Sequence, residues 1–216
     1  MALIHTFDEN NFIEICDYLT KNDTDLKLII ATYGYPPLWK RSPSFETLIH
    51  IILEQQVSLS SARSALNKLK EQVGQVTPES ILLLTDEQLR NCYFSRQKSS
   101  YVRHLAQAVI SNQLSIESFN AATDEYVRTA LKKIKGIGDW SANVYLMMAM
   151  QRADLFPLND VALVKSLQET KNLPRFISKE EISVIAAKWK PYQTIAAFIL
   201  WHSYLCKRKR VVSAHI

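Results

Sequence analysis

The chain has 216 residues, 47% of them apolar, with a formal net charge of +5 and a pI near 9.0. That supports one generous domain or two small lobes folding without cross-links, and the mild basic excess favours a polyanionic partner. Cys16, Cys92 and Cys206 are odd in number and far apart with no CxxC pair, which argues against a zinc site or a cysteine-ligated iron–sulfur cluster and for a reducing compartment.

No apolar run approaches the roughly 18 residues of a membrane span, and the early acids Asp8, Glu9, Glu14 and Asp17 are wrong for a signal peptide. Only four glycines and seven prolines stand beside frequent Leu, Ile, Ala, Lys, Glu and Gln, and no strand alternation or fixed-period repeat is found, so the expected fold is all-α. Residues 9–21 and 23–32 read as the first helices, followed by a loop from Tyr33 to Pro37 that leads to Trp39. After Pro43, the residues Phe45, Leu48, Ile49, Ile52 and Leu53 recur at the spacing of a core-facing helix, which runs out into Glu54-Gln55-Gln56-Val57-Ser58. A helix at 58–73 follows. Thr77 with Pro78 reads as an N-cap with proline at the first helical position, and Thr85 with Gln88 as a capping box. Further helices are expected at 96–110, 123–134, 139–150 and 160–169; Ser178 with Glu181 marks another capping box, and Pro191 opens a last helix at 191–206.

The most informative stretch is Leu131-Lys132-Lys133-Ile134-Lys135-Gly136-Ile137-Gly138-Asp139-Trp140-Ser141-Ala142, which holds two of the four glycines. Tyr126, Val127, Ala130, Leu131 and Ile134 make one helical stripe before it, and Trp140, Val144 and Met147 another after it, so a very short turn joins two helices. Gly136 and Gly138 supply φ freedom and bare backbone there, and such a turn aims N–H groups and the next helix dipole at a phosphate. An ordinary αα-hairpin with a glycine C-cap has the same pattern.

This stretch resembles the helix-hairpin-helix of DNA glycosylases, in which the hairpin is followed, after one helix and a return loop, by a catalytic aspartate. The matching residue is Asp160, in Leu155-Phe156-Pro157-Leu158-Asn159-Asp160, twenty residues beyond Trp140. Read by itself, Asp160 or Asn159 is an N-cap for the apolar run Val161, Leu163, Val164 and Leu167. Cap and catalyst are compatible, because a helix N-terminus favours negative charge. The resemblance covers about residues 43–206. It implies a single glycosylase domain of two helical lobes flanking a DNA-binding cleft, a middle lobe of about 43–150 and a second from 1–42 and 151–216, in the compact form without an N-terminal β-rich domain. It also implies that Gly136, Gly138 and Lys135 hold DNA backbone, and that the carbonyls of Lys132, Ile134 and Ile137 bind Na+ or K+ when DNA is present, with no cofactor required. Gln55-Gln56-Val57-Ser58 looks like the family's Gln-Gln-aliphatic-Ser segment, in which Gln56 would wedge into the duplex and Ser58 would touch DNA; exposed polar residues at a helix end are the plain alternative.

Bifunctional members of this superfamily keep a lysine two residues after the second glycine, where this chain has Trp140. The resemblance therefore narrows to the monofunctional branch, with water as acceptor, and the missing C-terminal cysteine cluster removes the endonuclease-III-like subgroup. In the alkyladenine branch the tryptophan matching Trp140 lines the base pocket, and Lys188-Trp189-Lys190-Pro191-Tyr192 through Trp201-His202 resembles the last core helix, whose pocket tryptophan matches Trp201. An aromatic wall attracts a flat cationic purine such as 3-methyladenine or 7-methylguanine, although core packing is the usual fate of such residues. The run Lys207 to Arg210 reads as a solvated tail that adds phosphate attraction. Uracil, mismatched thymine or hypoxanthine are alternative lesions, and a non-catalytic DNA-binding module shares the hairpin but has no need of Asp160. The implied partner is damaged double-stranded DNA bound by a monomer, away from membranes, in the cytoplasm at the nucleoid or in a eukaryotic nucleus.

Overall fold

The computed structural model describes residues 6–208. Among them are twelve α-helices, a 3-10 turn at Glu117–Phe119 and one isolated antiparallel bridge, Thr6 with Arg152, but no strand, so the all-α expectation holds. The chain divides into two compact units, one formed by 1–41 with 151–216 and the other by 42–150.

The unit of residues 42–150 is built on α3 (Phe45–Glu54), started by a Ser44 side chain that accepts from the amide of Thr47. The stripe read from sequence is one-sided, yet Thr47 and Ile51 are buried as well, which makes α3 a central helix and not a surface one. Around it pack α4 (Leu59–Val73), α7 (Arg96–Ile110) and α9 (Asp139–Met148), with α5 (Pro78–Leu83) and α6 (Asp86–Asn91) against α7 and α8 (Asp124–Lys132) against α9. The expected box of Thr85 with Gln88 exists here, and Thr77, expected only as an N-cap, forms one as well with Ser80.

The second unit is organised by α12 (Gln193–Lys207), buried from Thr194 to Ser203 and packed by α1 (Phe12–Asn22), α2 (Thr24–Tyr33) and α10 (Val161–Lys171). Phe7, Phe12, Trp39, Phe198 and Trp201 join in one aromatic cluster. The last helix starts at Gln193 with Tyr192 as its cap residue, two positions beyond the expected entry at Pro191; Pro191 instead follows the cis Lys190–Pro191 bond in the turn after α11 (Lys179–Ala187). Lys171, at the end of α10, pairs with Asp23 and Asp25 at the start of α2 (2.7 and 2.8 Å), and the indole N–H of Trp189 donates to the same Asp23. Those contacts anchor the C-terminal end of α10 within this unit, the helix whose other end begins at Asp160.

Candidate active site

The segment before Asp160 is held by backbone and hydroxyl bonds. Thr194 donates to the carbonyl of Arg152 (2.6 Å) and accepts from the amide of Leu155, while its own amide donates to Ala153. Pro157 and Leu158 then turn the chain, with the amide of Asp160 donating to the carbonyl of Pro157. Asp160, not Asn159, is the N-cap of α10: its Oδ1 accepts from the amide of Leu163 at 2.7 Å. The same oxygen accepts from the indole N–H of Trp201 at 3.0 Å. Two donors, one local and one from α12, converge on a single carboxylate oxygen and fix the plane of the group. The sequence reading places Trp201 in a base pocket; the structure brings it onto the catalytic candidate itself, with its ring stacked on Phe198 and edge-on to Trp39, and only 8% exposed.

In the other unit the hairpin joins α8 to α9 through Lys133–Gly138. Its two glycines differ. Gly136 has φ +95, and a Cβ there would lie 2.1 Å from Cγ of Tyr101, so this position requires glycine for both conformation and space. Gly138 has φ −102 and ψ −173, extended backbone open to any residue, which corrects the expectation that both glycines supply φ freedom. Nothing lies within 4 Å of where its Cβ would sit, and no side chain caps α9, so the glycine keeps the helix end open to the outside. Ile134 and Ile137 are buried and Lys135 is exposed. Lys132 is ion-paired with Asp139 across the hairpin (2.6 Å), a half-exposed pair of small energetic value. Trp140, in the first turn of α9, is half-buried, whereas Tyr126 of the expected α8 stripe is 57% exposed.

Gln56 lies in the turn between α3 and α4 with φ +58, a left-handed conformation unusual for glutamine, and its side chain is exposed. Ser58 is the N-cap of α4 and accepts from the amide of Ser61, so its first role is structural. Sequence reasoning missed Gln55, whose side-chain amide donates to the carbonyl of Gly136 (2.8 Å) and the hydroxyl of Ser141 (2.9 Å). That tie connects the Gln56 turn to the hairpin, and no local signal could have disclosed it. Burial pushes the Cys16 thiol up to about 12 and lifts those of Cys92 and Cys206 as well, which disfavours the reactive thiolate.

Residues 49–191 match the HhH-GPD superfamily of base excision DNA repair proteins. The chain belongs to that family. A DNA-3-methyladenine glycosylase of Bacillus subtilis is 33% identical over 90% of this chain and 68% of its own length, and DNA-3-methyladenine glycosylase 1 of Schizosaccharomyces pombe is 28% identical over 91% and 92%. Among solved structures, the 3-methyladenine DNA glycosylase Mag1 of S. pombe in complex with abasic DNA superposes with a TM-score of 0.79 at 26% identity, covering 87% of this chain and 95% of that one. Among the described residues no helix is long and apolar enough to cross a membrane.

Proposed function

We propose that the chain is a monofunctional DNA glycosylase that hydrolyses the N-glycosidic bond of alkylated purines such as 3-methyladenine and 7-methylguanine in duplex DNA. The observation that carries this is Asp160, oriented by Leu163 and Trp201 at the start of α10, in a family member whose relatives bear the names of 3-methyladenine glycosylases.

A purine methylated at N3 or N7 carries positive charge and leaves without protonation, taking the glycosidic electron pair with it. The barrier then lies in the cation that develops on the deoxyribose, and a preoriented carboxylate stabilises that charge. Water closes on C1′ and loses a proton, giving an abasic site in an intact strand. Trp140 and Trp201 are assigned to the pocket that receives the base, where aromatic faces favour a cationic purine. Their placement differs: Trp140 offers a half-buried ring beside the hairpin, while Trp201 acts chiefly by orienting Asp160.

DNA backbone is held at Gly136, Gly138 and Lys135, with N–H groups of the hairpin on phosphate. Among the described residues no cluster of three His, Cys, Asp or Glu offers a metal site. The carbonyls of Lys132, Ile134 and Ile137 are neutral oxygen donors that suit Na+ or K+; that of Ile134 accepts the amide of Ile137 at 3.0 Å and has a second lone pair for an ion. A bound cation would add positive charge opposite a phosphate. Gln56, held in a strained turn, is the wedge that fills the space left by the extruded nucleotide. The chain is assigned as a monomer acting wherever the cell keeps its DNA.

Incubation with methylated duplex DNA, followed by chromatography of the released bases, tests the reading. Free 3-methyladenine or 7-methylguanine with alkali-labile abasic sites is expected; release of uracil or hypoxanthine alone from the corresponding duplexes would reassign the lesion, and no release from any would sink the enzymatic reading.

A further inference from the structure

One groove beside Asp160 holds groups that glycosidic chemistry does not use. It encloses about 760 Å³ between α10 and the loop 172–178, and Lys165, Arg175 and Phe176 line it together with Asp160 and Val161. The loop is tightly held. Asn172 ends α10 in the left-handed conformation (φ 52, ψ 48), the amide of Leu173 donates to the carbonyl of Gln168, and the side-chain amide of Gln168 donates to the carbonyls of Pro174 and Arg175 at 3.0 and 2.9 Å. Ser178 with Glu181 then caps α11. Despite this fixed backbone, the Phe176 ring is 87% exposed and Val161 is 80% exposed.

A pinned loop that presents a bare aromatic ring leaves apolar surface for something outside the chain to cover. Charge says what kind of thing. The Arg175 guanidinium lies over the Phe176 ring at 5.8 Å, and among the described residues no ion pair engages Lys165 or Arg175, whereas Glu169 on the same helix is paired with Lys207 and Arg208. Cations interleaved with an exposed aromatic form the pattern that tracks a nucleic-acid strand, phosphate on the cation and sugar or unstacked base on the ring. The groove is also continuous with the proposed catalytic carboxylate: a deoxyribose presented to Asp160 brings its own phosphates with it, so the strand must pass over the residues around that carboxylate.

We propose that this groove binds the damaged strand beside the extruded nucleotide, Lys165 and Arg175 taking phosphates and Phe176 packing on the neighbouring sugar or base. The proposal rests on the glycosylase reading above. It is tested with the full chain and a duplex carrying one tetrahydrofuran abasic site, by fluorescence anisotropy across a salt series. Lys165→Ala with Arg175→Ala is expected to raise Kd and to make the slope of log Kd against log salt shallower by about 1.8, at about 0.9 per lost phosphate contact. Phe176→Ala is expected to raise Kd about fivefold or more with the slope unchanged. Lys27→Ala, which removes one exposed lysine from α2, controls for net charge, and melting curves with Phe176→Leu as a second variant guard against misfolding. Wild-type Kd and slope in the folded groove variants would overturn the proposal and leave the exposed ring to a protein partner. Because these arms read binding and not release, they fail or succeed separately from the methylpurine assay.

Discussion

The helices that begin at Asp160 and at Gly138 start in opposite ways. At α10 the cap is a carboxylate, Asp160, which satisfies the helix end from within. At α9 it is Gly138, with no side-chain cap and open space beside it. Eight other described helices use Ser, Thr or Asp side chains as caps; α1 and α12 share the lack of one, but of the three only α9 begins on a glycine. The same helix-end physics serves two tasks: an uncapped end recruits an anion from outside, and a capped end holds an anion of the protein in a fixed orientation. On the proposed reading, binding belongs to the hairpin and chemistry to Asp160.

The largest expected effect is on Asp160→Asn. Asparagine caps helices as well as aspartate, so melting should barely move, while single-turnover release of 3-methyladenine falls at least a hundredfold to a thousandfold and affinity for abasic duplex stays within about tenfold. Retained release would end the division of labour. Next come the two glycines. Gly136→Ala forces a Cβ into the Tyr101 ring at positive φ and should cost at least about 2 kcal/mol of stability in thermal or denaturant unfolding. Gly138→Ala should leave stability within about 1 kcal/mol yet weaken binding to damaged and undamaged duplexes alike, roughly tenfold. If both behave alike in unfolding, the distinction between an internal and an external reason for glycine is wrong.

Trp201→Phe keeps a large ring in the cluster but deletes the donor to Asp160. A roughly tenfold loss of release rate is expected, the equivalent of one hydrogen bond to a charged group. A loss confined to thermal stability would reduce Trp201 to core packing. The smallest effect concerns the support of α10. Burial works against the Asp23 charge but is outweighed by bonds from Lys171, Trp189 and the Leu26 amide, which hold its carboxyl below the ordinary 3.8. A depressed folded pKa contributes stability in full above that ordinary value and loses it as pH falls through the lower folded one. Asp23→Asn should therefore cost about 1 kcal/mol at neutral pH, since Lys171 keeps Asp25. The gap from wild type should close below about pH 4 in melting curves taken across pH.

Much of this was legible because helix punctuation is local. Thr85, Ser178 and Asp160 announce helix starts within four residues of themselves, and the Gly136–Gly138 spacing announces a turn. The features that make a site are not local. Gln55 reaches Gly136 and Ser141 across 81 and 86 residues, and Trp201 reaches Asp160 across 41. Periodicity assigns such side chains to a face and says nothing about their partners. Gly138 misled for a related reason: glycine signals permissive backbone, and only the three-dimensional arrangement separates a need for positive φ from a need for empty space.

If the hairpin only holds backbone, no amine beside it attacks the sugar, and Trp140 stands where bifunctional relatives keep lysine. Borohydride trapping on a duplex bearing a positively charged N-methylpurine, read by denaturing electrophoresis alongside base release, tests this most directly. The expected result is release of the base from an uncut strand with no covalent complex. A trapped enzyme–DNA imine, formed at a rate comparable to release through Lys132, Lys133 or Lys135, would contradict it.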